Sequence, residues 1–252
     1  MKKVFFFVEG QTESIFIDKL LNEYIGNHNL ELKIHKYVGQ YQIKKVLVRE
    51  NPTAIYEVRI YDVSSSGSTV ISKIKETAES ILKNKGYDFI IGLHDLYRTK
   101  INGKNIERSE KKKVMDAFMK LFQNKDFYDR IKYVLAIMEI EAWFLMDAKM
   151  FCKIDSSLTH NFIKEKLGYD LINDDLESYK HPSKIIDEIF HLCGKSYKKH
   201  KDESYRISHN LDYADLCCSN ELINKVESWK YFLNCINLVF ELGCDTRLQS
   251  KV

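Results

Sequence analysis

The sequence predicts an α/β protein, with a mostly parallel sheet flanked by helices and an all-helical C-terminal region. Three observations predict it. Over residues 1–150, short β-branched and aromatic runs alternate with amphipathic stretches, the pattern of strands joined by crossover helices. The first run, Val4-Phe5-Phe6-Phe7-Val8, is apolar at every position, as in a strand covered on both faces. From about Phe151 the strand-like runs stop and helical periodicity takes over. An α/β domain at 1–150 and a helical region at 151–252 packed on it are therefore expected.

Each element has its own signal. The first strand ends at Glu9-Gly10, and Thr12 opens a helix with Ile15, Phe16, Leu20 and Leu21 on its apolar side. Leu30 to Val38 alternates apolar and polar residues, as a strand near a sheet edge does. Gln40 to Glu50 reads as a helix with Ile43, Val46 and Leu47 on one face, stopped by Asn51-Pro52. Ile55 to Tyr61 is the third strand, with Asp62 behind it. Ser64 to Ser68 turns into a helix from Thr69 to Lys85, and Gly86 suits its left-handed C-terminal position. Tyr87 to Leu93 is the fourth strand and delivers His94, Asp95, Leu96 and Tyr97. A helix over Ser109 to Gln123 precedes the fifth strand, Ile131 to Met138, which leads through Glu139-Ile140-Glu141 into Ala142 to Asp147. Further helices are expected over Asn161 to Leu167, Pro182 to Cys193, Leu211 to Cys217 and Glu221 to Leu242.

Composition narrows the class. Hydrophobic content of 44% and charged content of 30% are those of an ordinary soluble protein. No segment approaches the roughly 20 apolar residues of a membrane span. The run after Met1-Lys2-Lys3 is too short for a signal peptide, so a cytoplasmic protein is expected. Six cysteines form no CxxC pair and no zinc-like spacing with the eight histidines. The GxxxxGK[ST] spacing is missing from the serine-rich turn, which argues against an NTPase. A net charge of +3 leaves a nucleic-acid partner open without requiring one.

Acids mark the strand ends: Glu9 after the first, Asp95 after the fourth, Glu139 and Glu141 after the fifth. In a parallel sheet those tips share one edge, so carboxylates distant in sequence can converge. Clustered carboxylates repel one another unless protonated or shared by a cation. An all-oxygen set suits Mg²⁺ or Mn²⁺, and such an ion supports phosphodiester cleavage or strand transfer. Taken singly, each acid is equally an ordinary solvated strand-end residue. Glu13, in a first helical turn, either answers the helix dipole or supports Glu9 by hydrogen bonding. His94 is either a general acid–base or a hydrogen-bonded structural residue. Asp147 lies further along the helix as a surface or supporting acid. The tract Lys195 to Lys201, with Arg206 and His209, is either a phosphate-binding surface or a solvated helix face.

FFFVEGQTE followed by a strand ending in His94-Asp95-Leu96-Tyr97 resembles the Toprim fold of topoisomerases, primases and OLD-type nucleases. There a strand-end Glu and a later Asp-x-Asp hold Mg²⁺. The closer resemblance is to the DUF4276 family of Toprim-like bacterial proteins. It rests on Val8-Glu9-Gly10-Gln11-Thr12-Glu13, on Asp95-Leu96-Tyr97, and on Glu139-Ile140-Glu141-Ala142-Trp143-Phe144-Leu145-Met146-Asp147. His181-Pro182-Ser183-Lys184 and the Tyr197/Lys199 region extend it almost to the C-terminus. The resemblance implies a Mg²⁺- or Mn²⁺-dependent nuclease with Glu9, Asp95 and Glu141 as ligands and Glu139 assisting. Tyr197 and Lys199 would contact phosphate. It also implies a nucleic-acid partner and a role in anti-phage or toxin-like systems, beside a partner ATPase or other defence component. Two departures stand out: Tyr97 replaces the second Asp of Asp-x-Asp, and Arg98 replaces the following glycine. Tyr97 would then contact phosphate, stack on a base or simply pack. If turnover is lost, the fold becomes a non-catalytic module that binds nucleic acid or nucleotide, or docks a partner.

Overall fold

The computed structural model describes residues 1–38, 42–64, 67–96, 100–101, 104–105 and 110–242. Tyr97 and Arg98 lie outside the described residues, as does Cys244. The first half holds β1 (Lys2–Val8), α1 (Gln11–Leu21), β2 (Leu30–Val38), β3 (Gln42–Arg49), β4 (Tyr56–Asp62) and α2 (Gly67–Glu79). It continues with β5 (Phe89–Asp95), the short pair β6 (Lys100–Ile101) and β7 (Lys104–Asn105), α3 (Lys111–Phe122) and β8 (Ile131–Ala136). Eight helices follow: α4 (Glu141–Phe144), α5 (Lys149–Ile154), α6 (His160–Leu167), α7 (Pro182–His191), α8 (Lys201–Asn210), α9 (Tyr213–Cys218), α10 (Asn220–Lys225) and α11 (Glu227–Phe240). No strand is found among the described residues after β8. No described helix is long and apolar enough to cross a membrane.

Six strands form one sheet in the order β3-β2-β4-β1-β5-β8, parallel throughout except for the antiparallel pair β2–β3. The all-apolar β1 takes an interior position between β4 and β5, as its run predicts. Its side chains alternate between two cores. Val4, Phe6 and Val8 join α1 and the C-terminal helices, whereas Phe5 and Phe7 join α2 and α3. The first core runs unbroken from the sheet to Trp229 and Phe240 on α11.

Gln40 to Glu50 does not form the expected helix; residues 42–49 are β3. Ile43 and Val46 fit a helical face, yet both are exposed, and Ile43, Val46 and Val48 are β-branched. Pairing with β2 satisfies the backbone, and that gain lies outside any local pattern. The helix α8 lies where only a charged tract was legible, and its buried Ser204 meets Thr12 of α1 at 3.1 Å.

At Gly92 of β5 the second core comes close. A Cβ there would lie 2.5 Å from Ile74 Cδ1 on α2 and 3.3 Å from the Tyr133 ring. Gly92→Val should therefore cost about 1–3 kcal/mol by overpacking. The check is a lower urea midpoint with an unchanged slope.

Candidate metal centre at the sheet rim

The strand tips place acids along one edge. Val8 of β1 pairs with Asp62 of β4 and with Leu93 of β5, so Glu9, Asp62 and Asp95 emerge side by side. Beyond β8 the chain reverses through Met138, whose φ of 61° is rare for a side-chain-bearing residue. That turn brings Glu139 and Glu141 back over the rim, and the Ile140 amide donates to Asp95 Oδ1 at 2.8 Å. The short α4 is anchored by its aromatics: Trp143 stacks on Phe232 at 5.1 Å and donates from Nε1 to Ser228 Oγ at 2.8 Å. Phe144 packs on Phe16 of α1. Burial of these rings sets where Glu139 and Glu141 stand.

Asp95, Glu139 and Glu141 each offer a carboxylate oxygen, and these oxygens lie within 4.8 Å of one another. All three groups are buried, Glu141 completely. Glu9 does not belong to this group. Its Oε2 accepts from the Asp95 amide at 3.2 Å, which holds it next to Asp95. Glu13 is buried beside them. Its Oε2 would stand 3.3 Å from a Cβ at position 10, and glycine there leaves the room.

A cation already sits among the carboxylates. Lys199 Nζ lies 2.9 Å from Glu141, 3.3 Å from Glu139 and 4.0 Å from Asp95. Its backbone has φ of 60°. Of the four side-chain-bearing residues with positive φ among the described residues, Ser64, Met138 and Lys199 flank or enter the acidic rim. Strain gathered at one place is a pointer to function. Burial favours the neutral amine, but Glu141, Asp95 and Glu139 outweigh it and hold Lys199 above its ordinary pKa. Burial drives Asp95 well up, with Lys199 opposing and Glu13, Glu9 and Glu141 adding to the rise. Glu13 is raised for the same main reason. Burial also acts to raise Glu139, yet Lys199 and the Ser183 amide, donating at 2.8 Å, hold it below its usual value.

Tyr197 and Lys199 thus face the acids. The buried Tyr197 phenol donates to Glu141 Oε1 at 2.7 Å and fixes that carboxylate. Most of the basic tract is likewise engaged: Lys195 pairs with Asp155 at 2.6 Å and Lys198 with Asp187. The Lys195 ammonium, then the Ser157 hydroxyl and amide, hold the Asp155 carboxyl down at about 2. A depressed carboxylate contributes stability above the unfolded value near 3.8, and that contribution disappears as pH falls through about 2. Asp155→Asn should flatten this acid limb in urea midpoints measured from pH 5 downward.

His94 points away from the site. It is fully buried on the α2–α3 face against the Tyr133 hydroxyl at 3.2 Å, and burial lowers its pKa to about 3. Asp147 is also elsewhere, accepting from the Asp212 amide at 2.7 Å and tying α4 to α9. Sequence reasoning passed over Asp62, although the strand-tip rule that selects Asp95 selects it too. It is buried, and its Oδ1 accepts from the Ser64 amide and hydroxyl.

Asp95, Glu139 and Glu141 are the residues that could hold a small divalent cation. With Lys199 counted, the acids still outnumber the cation, so negative charge remains to attract one.

Fold and rim together define an α/β protein with a buried, lysine-bridged carboxylate cluster at the carboxyl edge of a parallel sheet. The family model described as a domain of unknown function, DUF4276, matches residues 8–227, and the chain belongs to that family. No curated protein and no solved structure matches the chain.

Proposed function

We propose that this protein is a divalent-metal-dependent phosphodiesterase acting on nucleic acid. The observation that supports this reading is the triad of buried carboxylates, Asp95, Glu139 and Glu141, within 4.8 Å of one another. These three would hold Mg²⁺ or Mn²⁺, with Glu9 and Glu13 adding negative charge behind them. The ion would polarise a phosphoryl oxygen and steady the leaving oxygen. Tyr197 keeps Glu141 in its ligand rotamer. Lys199, displaced from the carboxylates, would offer its ammonium to the substrate phosphate. A Toprim-like ancestry, a cytoplasmic site of action and a defence role beside a partner ATPase belong to the same proposal.

A second reading has its own observation. Lys199 already bridges the carboxylates of the triad, as it would in a binding module whose acids serve only to hold the fold. A cleavage assay separates the two, using RNA, single-stranded DNA and duplex DNA with Mg²⁺ or Mn²⁺ and Asp95→Asn as control. Cleavage that survives EDTA or Asp95→Asn would sink the first reading. No cleavage of any substrate with either metal would favour the second.

A further inference from the structure

Part of the basic tract takes no share in the rim. Lys195 and Lys198 are engaged by Asp155 and Asp187, and Lys199 by the carboxylates. Lys201, Arg206 and His209 remain, all three exposed on α8. Among the described residues, neither Lys201 nor Arg206 has an acidic partner within ion-pair distance. The helix that carries them is held from behind. Ile207 is fully buried, Ser204 meets Thr12 of α1 at 3.1 Å, and Ser208 meets the Tyr213 hydroxyl at 2.9 Å. Positions 204, 207 and 208 share the inward side of a helix, which leaves Tyr205 half-buried and the cations outside.

Spaced four residues apart, three of these side chains form a ladder. Lys201 Nζ stands 5.5 Å from the centroid of the Tyr205 ring, and the rings of Tyr205 and His209 stand 5.6 Å apart. His209 Nδ1 donates to the Tyr205 carbonyl at 2.9 Å, which fixes the imidazole beside the phenol. Arg206 adds a guanidinium at the next position. Rings on which bases stack, set among cations that meet the phosphates between them, are what an unpaired strand requires. A duplex keeps its bases inside the stack, so it can use the cations but not the rings. Position ties this face to the rim. The helix begins two residues after Lys199, whose Nζ lies 2.9 Å from Glu141, and its ten residues extend about 15 Å from there.

We propose that Lys201, Tyr205, Arg206 and His209, on the outer side of α8, dock single-stranded nucleic acid and lead one strand to the carboxylates. The inference names the substrate class of the phosphodiesterase reading and rests on that reading for the strand's destination. Docking itself needs no metal, because none of the four residues belongs to the triad.

The test is fluorescence anisotropy of the full-length chain in EDTA. Labelled single-stranded DNA and RNA oligonucleotides are the probes, with duplex DNA of the same sequence beside them. Tyr205→Leu keeps an apolar side chain and loses the ring, so single-strand affinity should fall about tenfold, the loss of one stacked base. Tyr205→Phe keeps the ring and should bind as wild type does. Arg206→Gln, an exposed change that does not depend on packing at Tyr205, should lower the salt slope of single-strand binding by about 0.7. Duplex affinity should not respond to Tyr205→Leu. Wild-type protein that binds neither single strand overturns the proposal, as does Tyr205→Leu protein that binds them as wild type does, or an equal loss on the duplex. Cleavage of the same oligonucleotides with Mn²⁺ separates this inference from the reading beneath it. The expected binding losses without any cleavage would keep the docking face and remove the phosphodiesterase; cleavage with unchanged KM in Tyr205→Leu would do the reverse.

Discussion

Lys199→Met should destabilise the metal-free protein by about 3–5 kcal/mol, the cost of leaving buried charges without their partner. The ammonium touches Glu141 and Glu139 and approaches Asp95, so its removal strands three buried carboxylates together. The remaining acids can relieve their repulsion by protonation, and the loss should therefore be larger at pH 8 than at pH 5. They can also relieve it by taking up a divalent cation. Mn²⁺ should raise the melting temperature of Lys199→Met protein more than that of wild type, since the ion no longer competes with an ammonium. Equal metal-induced shifts in the two proteins would show that Lys199 and the cation do not share the site. A Lys199→Met protein as stable as wild type without metal would remove the electrostatic account of the rim.

Glu141→Gln should lower metal-dependent cleavage by about 10³-fold, the effect of losing several kcal/mol of charge stabilisation. The substitution keeps the shape of a fully buried side chain and removes only its charge. Tyr197→Phe provides the contrast. It deletes the phenol that fixes Glu141 and leaves the carboxylate, so metal affinity should fall about 10–100-fold. Saturating Mn²⁺ should then restore the rate of Tyr197→Phe but not of Glu141→Gln. A metal titration of initial rates distinguishes these outcomes. Equal, unrescued loss in both variants would mean that Tyr197 does more than hold its neighbour.

Much of this organisation is legible in residue order. The run Val4 to Val8 could only be a strand covered on both sides, and it lies between β4 and β5. The last run read as a strand, Ile131 to Met138, contains β8, and no strand follows it among the described residues. Acids at strand tips identified Glu9, Asp95, Glu139 and Glu141 as neighbours before any distance was known. Other parts were ambiguous or silent. Residues 42–49 satisfy a helical face as well as a strand, and only pairing with β2 decides between them. His94 and Asp95 are adjacent in sequence, yet the pleat sends one into each core face, and only Asp95 serves the rim. Tyr97, the departure that most unsettled the motif, lies outside the described residues.

By itself the sequence determined most of the strands and helices, the all-apolar central strand and the edge along which acids would gather. Each of these follows from which side of a short segment must leave water, a property that repeats every two or three to four residues. Tertiary structure alone decided that Asp95, Glu139 and Glu141 converge, and that Lys199 crosses 58 residues of chain to reach Glu141. Charge acts through space, with no period along the chain, so pairing among buried ions is settled only when the helices close over the rim.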